Sequence, residues 1–157
     1  MSTNQGTSLG KVRSPLSWIS VVLMVAGAVF MVGGIASYTM VSTTLAEERI
    51  TVSEDACLGG SEVAGPFTAY CEAMIIEQHA LDATGGKTYA ELDREDPLRA
   101  VAMNGSFLRA SLFTSVVAFG VSAMAAGLGL LFILVGVALR SVGRTRVPND
   151  ARDLINT

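Results

Sequence analysis

No charged side chain stands between Arg13 and Glu47, and none between Arg109 and Arg140. Long charge-free apolar runs belong to chain that passes through an apolar medium, because an unpaired charge there is too costly to keep. The first run reads WISVVLMVAGAVFMVGGIASYTMV, from Trp18 to Val41, and the second LFTSVVAFGVSAMAAGLGLLFILVGVAL, from Leu112 to Leu139. At about 1.5 Å per residue, either run as a helix exceeds the roughly 30 Å hydrocarbon layer of a bilayer. Trp18 and Tyr38 fall near the two ends of the first run, where amphipathic rings prefer the membrane interface. Two core helices of a soluble protein would need a polar shell for which 157 residues leave too little chain.

A secretory signal peptide is the competing account of the first run. Lys11 and Arg13 resemble its basic start, and Thr44-Leu45-Ala46 a small-residue cleavage site. Signal apolar cores run only about 7–15 residues, however, and this run is much longer, so an uncleaved anchor is expected. No Cys lies near its end to support lipoprotein processing.

Orientation follows from basic residues beside the spans: Lys11 and Arg13 before the first, Arg140, Arg144 and Arg146 after the second. They place both termini on the cytoplasmic side of the plasma membrane. The stretch from Glu47 to Arg109 holds 12 acids against five Lys and Arg, a net charge of -7, and becomes an acidic extracytoplasmic loop. Arg49 and Arg109 lie near the membrane on that side and weaken the rule without reversing it. The expected architecture is an all-α membrane protein with two transmembrane helices and a small, helical, disulfide-tied extracytoplasmic domain between them. Its layout is a tail over 1–16, a span over 17–42, the outer domain over 43–110, a span over 111–140 and a tail over 141–157.

Small residues recur every seventh position in both spans: Ser20, Gly27 and Gly34 in the first; Ser115, Ser122, Gly129 and Gly136 in the second. In lipid, close backbone approach through small residues is a main source of helix association. A seven-residue spacing keeps them on one stripe of a packed helix. The two spans are therefore expected to pair as an antiparallel hairpin. Ala118, Ala125, Ala126 and Gly127 leave additional small surface for a copy of the chain or another integral membrane protein. Neither span carries an ionisable residue of the kind that marks proton or ion pathways.

Cys57 and Cys71 are the only cysteines, and both fall on the side assigned as oxidising, where a disulfide is the expected state. Pro66 suits a first helical position, and Phe67, Tyr70, Cys71, Met74, Gln78 and Leu81 follow at helical spacing to about Thr84, before Gly85 and Gly86 supply a left-handed stop. Thr88-Tyr89-Ala90-Glu91 has capping-box spacing and predicts a short helix carrying Tyr89 and Leu92. Asp96-Pro97 predicts the start of a helix that runs into the second span, with Asn104-Gly105-Ser106 as a candidate kink or break. Ile50-Thr51-Val52 reads as extended, without an evident partner.

Motifs that would carry chemistry do not assemble. Gly86-Lys87-Thr88 resembles the end of a phosphate loop, but Leu81 stands where that loop needs Gly. Asn104-Gly105-Ser106 fits a glycosylation sequon too close to the membrane for use. His79 is the only histidine, and a catalytic zinc or non-haem iron site draws on at least two His or His/Cys combinations. Glu91, Asp93, Glu95 and Asp96, interleaved with Arg94, lack calcium-loop spacing and read as a solvated face. With a net charge of -3 the chain lacks the basic footprint of a nucleic-acid binder.

GGKTYAELDREDPLRAVAMNGSFLRASLFTSVVAFG, from Gly85 to Gly120, with ERITVSEDACLGG and VAGPFTAYCEA upstream, resembles a group of small actinobacterial two-span membrane proteins labelled "aromatic ring-opening dioxygenase, LigA-type". The likeness covers about residues 15–140, and TYAELDREDP and SFLRASLFTSVVAFG are its specific runs. It implies an envelope protein of a high-GC Gram-positive bacterium. Enzymes bearing that label are soluble, with iron ligands on a larger subunit, and no catalytic residue of theirs maps onto a position here.

These readings converge on a non-catalytic accessory or scaffold protein of the plasma membrane, without a cofactor or metal, packed against a larger membrane complex. Its expected partners are membrane lipid and another integral membrane protein or itself. An alternative is an outer domain that binds an apolar envelope ligand or lipid through Phe67, Tyr70, Met74, Ile75 and Tyr89, residues otherwise expected to serve its core. A second alternative is the dioxygenase component that the label names.

Overall fold

A computed structural model describes residues 15–145 of the chain. Lys11, Arg13 and Arg146, which contribute to the orientation argument, lie outside the described residues, as does the side chain of Arg144. Three helices follow in order, α1 (Pro15–Glu47), α2 (Pro66–Ala83) and α3 (Arg99–Thr145), with no strand among the described residues. α1 and α3 are both long and apolar enough to cross a membrane. Only 17% of the most apolar eighteen-residue stretch of each is buried, whereas a core helix in water hides most of such a stretch.

The chain divides into two compact units: one comprises residues up to Met31 together with those from Gly127 onward, the other Val32–Ala126. In the first unit α1 and α3 run antiparallel with their backbones in contact. A Cβ on Gly27 would stand 2.6 Å from the Gly129 carbonyl oxygen, and one on Gly129 would stand 2.5 Å from the Gly27 carbonyl oxygen. Two turns away, a Cβ on Gly136 would meet Met24 Cγ at 2.6 Å and the Ser20 carbonyl oxygen at 2.8 Å. Ser20 is fully buried there, and its hydroxyl donates to the Ser17 carbonyl at 2.8 Å. Phe30 and Phe132 add an edge-to-face ring contact at 6.0 Å.

The second unit holds the other ends of both long helices and everything between them. Gly34 approaches Ser122 and Ala126 as closely as the glycine contacts above, and Tyr38 packs on Phe119 with ring centroids 4.8 Å apart. α1 ends through Arg49, whose φ of 53° is a left-handed turn residue. Val52, Val63, Ala69, Cys71, Ala73 and Leu112 then form the core, with Leu45, Ile50, Ile76, Phe113 and Val116 packed around it. Burying these apolar groups is the main driving force for docking the connecting segment onto the helix ends.

Ile50-Thr51-Val52 does find a partner. Thr51 pairs antiparallel with Glu62, the Val52 amide donates to the Ser61 carbonyl, and the Val63 amide donates to the Ile50 carbonyl. Gly59 and Gly60 make the return, with Gly60 at φ 77°.

α2 begins at Pro66 and ends at Ala83, with Thr84 as its cap, followed by Gly85 and Gly86 at φ 65° and 82°. It lies antiparallel to α3: Tyr70 meets Phe113 edge-on at 5.9 Å, Glu77 pairs with Arg109 at 2.7 Å, and Ala80 sits against Gly105. Its core-facing side is not the set of large apolar residues. Ala69, Cys71, Glu72, Ala73 and Ile75 are buried, whereas Phe67 is 77% exposed, Tyr70 45% and Met74 42%. The expectation that these three serve the core is thus corrected: the closely packed α2 interface admits alanines and leaves the larger rings outside.

Two local expectations also change. Residues 88–91 form a single turn rather than a helix. Glu91 accepts from both the Thr88 amide and hydroxyl at 2.8 Å, but a capped first turn has little to propagate it before Leu92 folds inward to 4% exposure. α3 runs unbroken through Asn104-Gly105-Ser106, because Gly105 is where α2 makes its close approach.

Candidate functional site

The connecting segment concentrates the polar chemistry of the described residues. Cys57 and Cys71 are joined as a disulfide with Cα atoms 5.3 Å apart, tying the return loop after Val52 to the second turn of α2. Next to Cys71, Glu72 is buried at 6% exposure, and its carboxylate accepts the Ser53 amide at 2.8 Å and the Ser53 hydroxyl at 3.3 Å. The loop is therefore held to α2 by a covalent bond and a charged-acceptor bridge from adjacent residues, and hydrogen bonds to a carboxylate are among the stronger kind. Nothing in the spacing of Glu72 distinguished it from the solvated acids.

His79 Nε2 lies 2.7 Å from Asp55 Oδ2, with both side chains more than half exposed. That hydrogen bond, with the Asp55 backbone amide as second donor, holds the Asp55 carboxyl below its ordinary value. The Thr88 amide and hydroxyl do the same for Glu91. Arg109 pairs with Glu77 and places its guanidinium 5.3 Å over the Phe113 ring, while its Nε is buried without a hydrogen-bond partner. Arg99 lies 4.0 Å over the Tyr89 ring and donates to the Leu92 carbonyl at 2.6 Å, so it fastens the 89–92 turn to the start of α3.

A small cleft of about 100 Å³ lies between α2, α3 and the 87–89 turn, lined by Glu77, Lys87, Thr88, Tyr89, Ser106 and Arg109 among others. Small-molecule sites usually enclose about 300–1,000 Å³. Of the five side chains expected to bind an apolar ligand, only Tyr89 borders this cleft. Ile75 is buried, and Phe67, Tyr70 and Met74 face outward.

Among the described residues no group of three or more His, Cys, Asp or Glu converges as a metal site. The acids Glu91, Asp93 and Glu95 are exposed and Asp96 is half-buried; the Asp96 carboxylate accepts the Leu98 amide at the approach to α3.

The small residues singled out in the sequence occupy two settings. Ser20, Gly27, Gly129 and Gly136 lie in the seam of the first unit, and Gly34 and Ser122 in that of the second. Ser115 is half-buried, with its hydroxyl turned back to the Ser111 carbonyl at 3.3 Å. Away from the seam, α3 carries an exposed apolar face within the second unit: Met103 at 50%, Phe107 at 75%, Val117 at 63%, Val121 at 54% and Met124 at 60%.

No family model matches the chain, and no match was found among curated proteins or solved structures.

Proposed function

We propose that the chain is a two-span integral membrane protein with a disulfide-tied outer domain, acting as a non-catalytic accessory subunit of a larger plasma-membrane complex. The length and exposure of α1 and α3 support the spans, and the disulfide supports an oxidising location for the segment between them. In this topology both termini are cytoplasmic.

The observation that carries the accessory role is the apolar face of α3. Met103 and Phe107 precede Arg109 and so stand on the water side of the charge-free run, yet Phe107 is three-quarters exposed and continues the stripe of Val117, Val121 and Met124. Lipid covers the lower part of such a stripe. Its upper part calls for protein, because exposed contiguous apolar surface in water marks an interaction face.

A photo-crosslinking residue placed at position 107 in native membranes tests this. One defined protein adduct is expected there, with none from the same probe at Asp82 on α2. Absence of any adduct, or adducts with lipid alone, would remove the accessory role, and an adduct of the chain with itself would replace it by self-assembly.

A further inference from the structure

We infer that the first turn of α2 lies in the headgroup layer of the outer leaflet, with Phe67 inserted against phospholipid and Tyr70 at the boundary with water, so that the outer domain rests on the bilayer rather than standing clear of it. This rests on the proposed membrane-spanning reading of α1 and α3.

The level of the membrane surface comes from the aromatic pair. The roughly twenty residues from Trp18 to Tyr38 amount to about 30 Å of helix, the thickness of the hydrocarbon layer, so Tyr38 marks its outer edge. Phe119 shares that level through its ring contact with Tyr38. Beyond the edge, the polar layer of one leaflet is roughly 5–8 Å deep.

Two separate contacts fix the start of α2 just above this level. On the α1 side, the hydroxyl of Ser42, one turn past Tyr38, donates to the Ala64 carbonyl at 2.7 Å, immediately before α2 begins. On the α3 side, Tyr70 meets Phe113, six residues and thus about 9 Å of helix above Phe119. The antiparallel register set by Tyr70 with Phe113 and Glu77 with Arg109 then brings Phe67 level with about Val117, roughly 3–4 Å above the edge.

The outward face of α2 changes character along its length in the matching direction. Phe67, Tyr70 and Met74 come first, and Gln78 and Asp82 follow on the same exposed face. Apolar and aromatic groups therefore cluster where the helix leaves the membrane, and polar groups where it has reached water. An amphipathic ring such as Tyr70 suits the boundary, and a Phe exposed to 77% is stabilised only where water is displaced from it. Exposed apolar side chains also stand on both long helices in the same unit, Met40 at 71% and Val117 at 63%, and the register above brings Val117 to the level of Phe67.

The test places single tryptophans in a Trp18→Phe background of the full chain, reconstituted in phosphatidylcholine vesicles whose acyl chains are brominated near the headgroup end. Phe67→Trp and Met74→Trp report on the stripe, Asp82→Trp on the far end of α2 and Val25→Trp on the first span. All four positions are exposed, so none disturbs a packed core.

Phe67→Trp is expected to emit at shorter wavelength than Asp82→Trp and to lose most of its emission to brominated lipid, with Met74→Trp intermediate and Asp82→Trp unaffected. A quenched Val25→Trp beside an unquenched Phe67→Trp would overturn the inference and leave the spans standing. A short-wavelength but unquenched Phe67→Trp would also overturn it, since protein would then be the cover. If Val25→Trp is unquenched in every lipid, the membrane-spanning reading fails and the inference falls with it.

Discussion

Gly105 of α3 lies so close to Ala80 of α2 that a Cβ at position 105 would stand 2.6 Å from the Ala80 Cβ. Non-bonded carbon atoms do not sit at that distance, so Gly105→Ala must push α2 away from α3. Overpacking of this kind costs about 1–3 kcal/mol, and the better helix propensity of Ala returns about 1 kcal/mol. The expected result is a lower midpoint in a chemical-denaturation curve, largely recovered in the double variant Gly105→Ala/Ala80→Gly. Equal destabilisation of single and double variants would show that the contact is not what sets the cost.

The Cys57–Cys71 bridge closes a loop with a sequence separation of 14, and constraining such a loop in the unfolded chain is worth about 3 kcal/mol. Reduction, or Cys57→Ser/Cys71→Ser, should therefore lower the melting temperature of the connecting segment between α1 and α3. Hydrogen exchange should quicken first at the amides of Val52, Gly60 and Val63, whose pairing the bridge supports. Unchanged exchange at these amides would assign the stability to the Glu72–Ser53 contact instead.

The hydrogen bond from His79 leaves Asp55 holding its proton less tightly in the folded chain than in the unfolded one, where the ordinary value is 3.8. On acidification the unfolded state therefore takes up the proton first. The stability this pair contributes is present above that value and is lost as pH falls through the lower folded-state range. At neutral pH, Asp55→Asn should be slightly less stable than wild type, and the gap should close in acid. A gap that persists unchanged below pH 3 would mean that the carboxylate charge is not involved. Both groups are exposed, so the effect is small.

The parts of this fold that are legible in the sequence are those written in local signals. Pro66 and the Gly85-Gly86 pair bound α2 because one fixes φ and the others reach left-handed backbone. The charge-free runs show in the same way, since each is a property of consecutive residues. The partner of Ile50–Val52 was available too: Gly59-Gly60 followed by Ser61-Glu62-Val63 is a hairpin return, although its strand is too short to stand out.

What the sequence hides is any choice made by another element. Helical spacing in α2 reveals the helix but not which face is buried, because that depends on whether the opposing surface of α3 leaves room for rings or only for Ala73 and Ala80. Asp55 and His79 meet across a sequence separation of 24, with no pattern joining them. Arg109 reads as an ordinary charge at the edge of the membrane, and only the fold gives it Glu77 and Phe113 as neighbours.

The contact of Gly27 with Gly129 differs in kind from that of Gly105 with Ala80. At Gly105 the obstacle is a side chain, and a second substitution can trim it. At Gly27 and Gly129 each missing Cβ would collide with the other helix's main chain, which no exchange of side chains removes. Suppressor mutations should therefore arise readily for the first pair and not for the second, so that the α1–α3 seam tolerates glycine there and offers no neighbouring route by which any other residue becomes acceptable.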